Sequence, residues 1–247
     1  MSTAFQPRRG EYGFDAPYVP ALMALGSVPL LLGAVNAAMR GDVVGVASMG
    51  LSGAFLLFCA GTFVYATRAG KFRVWHELLE GLALRGDEQV LDVGCGRGAV
   101  LLLAAARLSG GGKATGIDLW QVKDQSGNGA DAARANAAAE GVAERIELHT
   151  GDMRALPFGD GSFDVVVSSL AIHNVPDAAG RAAAVKEIAR VLKPGGRVAL
   201  ADFKFVGDYS RTLAEVGLGE VRVRGLGVRF WYGGPWAATS VVTAIKK

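Results

Sequence analysis

The hydrophobic pattern of this chain changes character twice. Residues 16–39 and 43–67 contain no charged residue and only scattered polar ones. Each stretch has about the 20 residues a helix needs to cross a bilayer. Only Arg40-Gly41-Asp42 separates them, which predicts a tight pair of membrane-spanning helices. A signal peptide fits poorly, because the first stretch is too long for an h-region and a second follows at once. Two buried helices of a soluble core would give the same runs. Over residues 71–84 the period becomes helical and one-sided: Trp75, Leu78, Leu79 and Leu82 recur at i, i+3, i+4, i+7, an amphipathic helix. It could lie on anionic headgroups or pack before the first strand. From Val90 onward, short β-type runs (90–93, 114–117, 146–150, 163–169, 197–201) alternate with helix-length runs (99–108, 130–140, 181–192, 209–216). That alternation predicts a parallel α/β sheet. Two last runs, 221–230 and 237–245, read as a strand pair around a tight Gly233-Gly234-Pro235 turn. The expected organisation is an N-terminal segment (1–15), two transmembrane helices (16–67), an amphipathic connecting helix (68–86) and an α/β domain (87–247).

Composition sharpens this picture in three places. Hydrophobic residues make up 51% of the 247 and mean hydropathy is +0.29, high for a soluble enzyme and concentrated in the first third. A net charge of +3 leaves no nucleic-acid footprint. The two cysteines, Cys59 and Cys95, form neither a disulfide framework nor a metal cluster, and no metal site is expected. Charge placement sets an orientation. Arg8 and Arg9 precede the first span, and Arg68, Lys71 and Arg73 follow the second, while the loop between has Arg40 beside Asp42. The positive-inside rule puts both termini and the α/β domain in the cytoplasm.

The candidate chemistry begins at residues 90–98, VLDVGCGRG. A strand, a glycine turn (Gly94, Gly96, Gly98) and a helix bring a ligand against backbone N–H groups at a helix start. Asp118 ends the next strand about 20 residues on, where a carboxylate can accept from two ribose hydroxyls at once. GDMRALPF begins at Gly151, and LKPGG precedes the run 197–201. The spacing is G-x-G-x-G, not the G-x-G-x-x-G of nicotinamide-binding folds, and Asp92 lies inside the first strand.

This ordered series resembles the class I S-adenosylmethionine-dependent methyltransferases over roughly residues 71–247. The resemblance implies a Rossmann-like fold, a mixed seven-stranded sheet with helices on both faces, here preceded by a transmembrane hairpin. It implies S-adenosyl-L-methionine as cofactor. Gly94, Cys95, Gly96 and Gly98 would line its backbone cradle and Asp92 would lie near its charged methionine end. Asp118 would hold the ribose, and Leu119 or Trp120 would pack on the adenine. Asp152 would accept from the adenine amino group, Met153 would donate its backbone N–H to the ring, and Ser168 would belong to the same pocket. One departure stands out: residues 120–128 add roughly half a dozen residues of polar loop beside the adenosine site, either a functional insertion or a longer helix start capped by Asn128.

Methyl transfer from a sulfonium needs alignment first and a base only if the acceptor loses a proton. His173, after the fourth strand, and Asp202, after the fifth, are the base candidates; His149 is read as structural. The segment SSLAIHNV at 168–175 lacks the Asp/Asn-Pro-Pro-aromatic pattern of DNA and protein amide methyltransferases. It resembles the branch with ubiquinone and sterol methyltransferases. A bilayer anchor then favours a lipophilic small acceptor: a quinone, an isoprenoid or a lipid. A soluble thiol or amine, a protein side chain, or a non-catalytic membrane scaffold remain the alternatives, and oligomeric state is left open.

Overall fold

The structure, a computed structural model, describes residues 8–121 and 126–247; residues 1–7 of the N-terminal segment and residues 122–125 of the extra loop lie outside the described residues. Helices α1 (Tyr18–Met39) and α2 (Val43–Tyr65) pack side by side. Their joint is short because Asp42 caps α2, its Oδ1 accepting from Gly45 N at 2.9 Å. Small residues let the helices approach: Gly33 faces Met49, Gly50 faces Ala34, and Gly53 receives Leu31. Asn36 is exposed rather than bonded across the pair. The outward faces are apolar all round, with Leu22, Leu25, Leu32, Val44, Leu51 and Phe58 exposed. These are not helices of a buried core.

The connecting helix is not a separate element. A single π-helical turn, Ala66–Gly70, joins α2 to α3 (Lys71–Gly81). The apolar stripe of α3 faces protein, with Phe72, Val74, Trp75, Leu78 and Leu79 all buried. This settles the two readings of the 71–84 pattern in favour of packing before the first strand. Trp75 Nε1 donates to Ser169 Oγ at 2.8 Å, tying the helix to the end of the fourth strand.

Seven strands form one sheet: β1 (Gln89–Val93), β2 (Lys113–Asp118), β3 (Ile146–Thr150), β4 (Phe163–Ser169), β5 (Leu192–Asp202), β6 (Gly219–Gly225) and β7 (Ser240–Ile245). Their order is β3-β2-β1-β4-β5-β7-β6, with β7 antiparallel to its neighbours β5 and β6 and the other pairings parallel. Side chains alternate between two cores, as the period of two requires. Val90, Val165, Val167, Ala199 and Val241 face a core shared with α3 and α4 (Leu101–Ala105). Leu91, Val166, Val198, Leu200 and Val242 face a core shared with α6 (Ala178–Val191) and α7 (Val206–Glu215). Helix α5 (Ala130–Ala139) adds Ala137 to the first core.

Two boundaries differ from the sequence expectation. The helix expected at 99–108 spans only Leu101–Ala105, since the glycine turn continues past Gly98. The expected strand pair is shorter, and no tight turn joins it. Residues 226–239 form a long connection in which Gly233 (φ 93) and Gly234 (φ 129) hold backbone that side chains rarely adopt. Their bare backbones lie against Met23, Phe63 and Cys59 of the hairpin. The aromatic residues there serve docking onto α1 and α2 instead of a hairpin turn.

The N-terminal segment is also built into the domain. Residues 9–11 bond to α5: Arg9 N and Gly10 N donate to Glu140 Oε1 and Glu11 N to Asn136 Oδ1. Buried Asn136 donates in turn to the carbonyls of Glu11 and Arg97. Phe14 N donates to Ser126 Oγ, so the segment meets the extra loop.

Candidate active site

The sheet order reverses between β1 and β4, and a ligand crevice opens at such a switch point beyond the strand C-termini. A cavity of ≈ 830 Å³ lies there. Its walls are Asp92 in β1 with Gly94, Cys95 and Gly96 after it, Asp118 at the end of β2 with Leu119 after it, and Asp152 and Met153 after β3. Ser169 to Ala171, His173 and Asn174 follow β4, and Phe203 follows β5. The cavity continues to the foot of the hairpin, where Tyr18, Val19 and Phe63 line it.

Each wall has a local reason. Gly94 has φ 75, and a Cβ there would collide with Ala171; only a bare backbone fits the turn. Asp118 Oδ2 accepts from Gly96 N at 2.8 Å and its Oδ1 from Trp120 N at 2.6 Å. These bonds orient the carboxylate across the turn while each oxygen keeps acceptor capacity for a hydroxyl. Asp92 is 2% exposed, and its Oδ1 has no hydrogen-bond partner. Burial pushes its carboxyl up to about 7, with the charge of Asp118 adding to the shift. The carboxyl takes a backbone hydrogen bond from Leu101, but its unpartnered Oδ1 in a buried wall calls for a ligand donor, best a cationic one. The donor set therefore fits S-adenosylmethionine: a carboxyl for the charged methionine end, an oriented carboxylate for the ribose, bare backbone between them.

Other expected residues sit differently. Gly98 (φ 86) shapes the turn but does not line the cavity. Trp120 is turned away, its Nε1 donating to Thr150 Oγ1 at 2.8 Å, and Leu119 alone of the pair forms wall. Ser168 is 1% exposed and donates to Val93 O at 2.7 Å between strands; its neighbour Ser169 is the residue in the wall. Alternation along a strand decides this, since adjacent side chains point to opposite faces. Asp152 is in the wall, but Arg154 grips its carboxylate through Nε and Nη2, the latter at 2.6 Å, and holds it below the usual carboxylate range. Met153 lines the cavity as expected. The Cys95 thiol is pushed well up by burial, so it stays protonated.

His173 lines the cavity and Asp202 does not. Asp202 is 1% exposed behind the ring, with its Oδ1 2.8 Å from His173 Nδ1. The two atoms are within hydrogen-bond distance but not in hydrogen-bond alignment. The same carboxylate accepts from His173 N, Phe203 N and Tyr209 Oη. Asp202 is thus an orienting group, and Nε2 is the ring nitrogen left for the cavity. The Phe203 ring packs against the imidazole at 4.7 Å between centroids. His149 contacts Phe158 on β3 and takes no part in the cavity.

Sequence reasoning missed Asp15, Tyr18, Val19, Phe63 and Lys71 at the hairpin foot; Tyr232, in an aromatic cluster the sequence offers as a pocket lining, joins them in the wall. They are far apart in the chain, and no motif links them. The extra loop, where described, reaches the site: Asn128 lines the cavity and its Nδ2 lies 3.5 Å from Asp118 Oδ1. Asn128 does not cap α5, whose N-cap is Gly129.

Comparison with known proteins agrees with this geometry. Residues 91–200 match the family model of a methyltransferase domain. A demethylmenaquinone methyltransferase of Symbiobacterium thermophilum is 37% identical over 130 residues, 52% of this chain and 48% of that protein. A 27-O-demethylrifamycin SV methyltransferase of Amycolatopsis mediterranei is 34% identical over 158 residues, 61% of this chain and 54% of that one. The chain spans about half the length of these curated relatives. Among solved structures, the [4+2]-cyclase SpnF superposes with TM-score 0.59 at 21% identity, covering 73% of this chain and 82% of the cyclase. A geranyl diphosphate C-methyltransferase from Streptomyces coelicolor A3(2), solved with Mg²⁺, geranyl diphosphate and S-adenosyl-L-homocysteine, superposes with TM-score 0.56 at 18% identity, over 72% and 79% of the chains. The cyclase shows that the fold alone does not fix a reaction. Residues 91–200 thus match a methyltransferase domain, and the chain has the Rossmann-like seven-stranded fold of these solved structures.

Proposed function

We propose that this chain is a membrane-anchored methyltransferase that transfers a methyl group from S-adenosylmethionine to a small lipophilic acceptor. One observation carries the reading: a single cavity joins the glycine turn and Asp118 at one end to Tyr18, Val19 and Phe63, at the foot of an apolar hairpin, at the other. The cofactor, when bound, supplies a methyl already activated on a sulfonium. The protein's part is then placement. Asp92 would hold the methionine end of the donor and Asp118 its ribose, and the bare backbone at Gly94 and Gly96 would let it sit deep. His173, backed by Asp202, offers Nε2 to an acceptor proton. Ala171, Phe203, Val19 and Phe63 give that acceptor an apolar slot. Curated relatives named for demethylmenaquinone, phytyl-naphthoquinone and rifamycin substrates favour acceptors of this kind.

In this reading α1 and α2 lie in the bilayer, and both termini and the α/β domain face the cytoplasm. The test is methyl transfer by the full chain in nanodiscs, with methyl-labelled cofactor offered separately to membrane lipid extract and to aqueous metabolites. Label entering a lipid-extract component is the expected result. Label entering only aqueous acceptors would overturn the lipophilic reading.

A further inference from the structure

The hairpin end of the cavity holds a polar group that the cofactor assignment above does not use. Asp15, Lys71 and Tyr232 come from three separate parts of the chain: the N-terminal segment, the start of α3 and the β6–β7 connection. Asp15 Oδ2 accepts from Lys71 Nζ at 2.9 Å and from Tyr232 Oη at 2.9 Å. All three line the cavity. Lys71 is 5% and Tyr232 8% exposed. Their surroundings in the wall are apolar: Val19, Phe63 and Ala237.

Burying an ion pair in such surroundings costs desolvation that apolar side chains would not incur. A use in the cavity accounts for it. We infer that Asp15, Lys71 and Tyr232 dock the oxygen of a neutral hydroxyl or carbonyl on the acceptor's ring. This rests on the lipophilic acceptor proposed above and narrows it to a quinol- or phenol-like class.

Charge and donor count carry the choice. Lys71 has three N–H donors and spends one on Asp15, so donors are left for a carbonyl or hydroxyl oxygen. Burial and the Asp15 charge hold the Tyr232 phenol well above its usual range, so it keeps its proton, which it donates to Asp15 and so fixes that carboxylate for a ligand. The carboxylate of Asp15 can accept from a ligand hydroxyl. Lys71 and Asp15 cancel in charge, which disfavours a diphosphate or other polyanion. Among the described residues the other lysine or arginine in the cavity wall is Arg154, and it is committed to Asp152. All three docking residues lie outside residues 91–200, the span of the family match. Acceptor choice would therefore sit in the part of the chain that the domain match does not cover.

The experiment uses the full chain in detergent micelles, saturated with S-adenosylhomocysteine. Two probes of equal tail length are titrated: 2-farnesyl-1,4-naphthoquinone, in oxidised and reduced forms, and farnesyl diphosphate. Wild type should bind the neutral ring probe and favour it over the diphosphate. Tyr232→Phe, and the double variant Asp15→Asn/Lys71→Met, which leaves no unpaired charge, should each weaken the ring probe about tenfold or more. Affinity for S-adenosylhomocysteine should change less than about twofold, since none of these groups contacts it in this assignment; it also reports that the variants fold. Unchanged ring-probe affinity in both variants overturns the docking role alone. A parallel loss of S-adenosylhomocysteine affinity also overturns it, placing Lys71 on the cofactor. Tighter binding of the diphosphate overturns the neutral class. Wild type that binds S-adenosylhomocysteine but neither probe overturns the lipophilic acceptor itself, and the docking role with it.

Discussion

At the scale of single residues, the buried Asp92 gives the sharpest expectation. Its carboxyl is pushed up to about 7, by burial first and by Asp118 second. An unfolded aspartate titrates near 4, so the folded state binds this proton more tightly, and stability falls as pH rises from about 4 to about 7. A cationic ligand group reverses the preference by favouring the ionised carboxylate. Affinity for S-adenosylhomocysteine should therefore rise from about pH 5 to about pH 8 and flatten once Asp92 is ionised. Asp92→Asn should abolish that slope in calorimetric titrations; a slope retained by the variant would assign the proton elsewhere. Asp118→Ala should weaken the same ligand strongly, because two hydroxyls lose their shared acceptor. The base pair makes a separable prediction. If the acceptor loses a proton, His173→Ala should lower turnover about 10²–10⁴-fold with cofactor affinity nearly intact. Asp202→Asn should shift the pH profile of turnover, since the charge facing Nδ1 is what it removes. The glycine turn and Asp92 were legible because one local strand-turn-helix carries them, and Asp118 because it ends the next strand at a set distance. Ser168 and Trp120 were misplaced because a one-residue step along a strand or loop reverses a side chain's direction, and spacing alone does not resolve that step.

At the scale of elements, alternation and helical period located all seven strands and both long apolar helices. What they could not reveal were joints. The turn Ala66–Gly70 has no sequence signature, yet it makes α2 and α3 one continuous path from hairpin to domain. Its packing is tight at Gly70, where a Cβ would collide with the carbonyl oxygen of Arg229. The β6–β7 connection is thereby pressed onto the joint, and Arg229 also binds Glu77 of α3 through both nitrogens, at 2.6 and 2.9 Å. Gly70→Ala should loosen that connection and lower the melting temperature clearly. Gly81→Ala, at the end of α3 with nothing within 4 Å of its Cβ, should be neutral or stabilising by up to about 1 kcal/mol. A Gly70→Ala protein as stable as wild type would mean that the joint is not held this way. The N-terminal segment was equally illegible. Its hold on α5 is made of polar contacts to Glu140 and Asn136, from backbone N–H groups and from Arg8 and Tyr12, and such bonds leave no hydrophobic pattern.

At the scale of the whole molecule, hairpin and domain share one core, which constrains both truncation and topology. Tyr12, Phe63 and Ala66 are buried in the cluster that contains Trp75 and Leu79. A chain cut at Lys71 would lose those partners along with Asp15, so the catalytic domain is best studied with its hairpin attached. Topology follows from lengths. Helix α1 has 22 residues, about 33 Å at 1.5 Å each, enough for a hydrocarbon core of about 30 Å. The domain climbs part of that length, however. Gly233 lies against Met23, and Trp236, 61% exposed, packs edge-on against Phe55 at 5.8 Å. From Phe55 to the start of α2 at Val43 only about 18 Å of helix stands clear. A full crossing therefore requires Trp236 and Phe55 to sit inside the hydrocarbon, deeper than the headgroup level where Trp is favoured. The proposed topology can be read with single cysteines, since Cys59 and Cys95 are buried. Met39→Cys, at the 76% exposed tip of α1, should react with a membrane-impermeant maleimide from outside intact cells. Lys247→Cys should react only after permeabilisation. A tip reagent-accessible from the cytoplasmic side, or from neither side, would show that the hairpin enters one leaflet without crossing. The aromatic loop would then rest at the surface, and an acceptor would reach Phe63 and Val19 from the cytoplasmic leaflet alone.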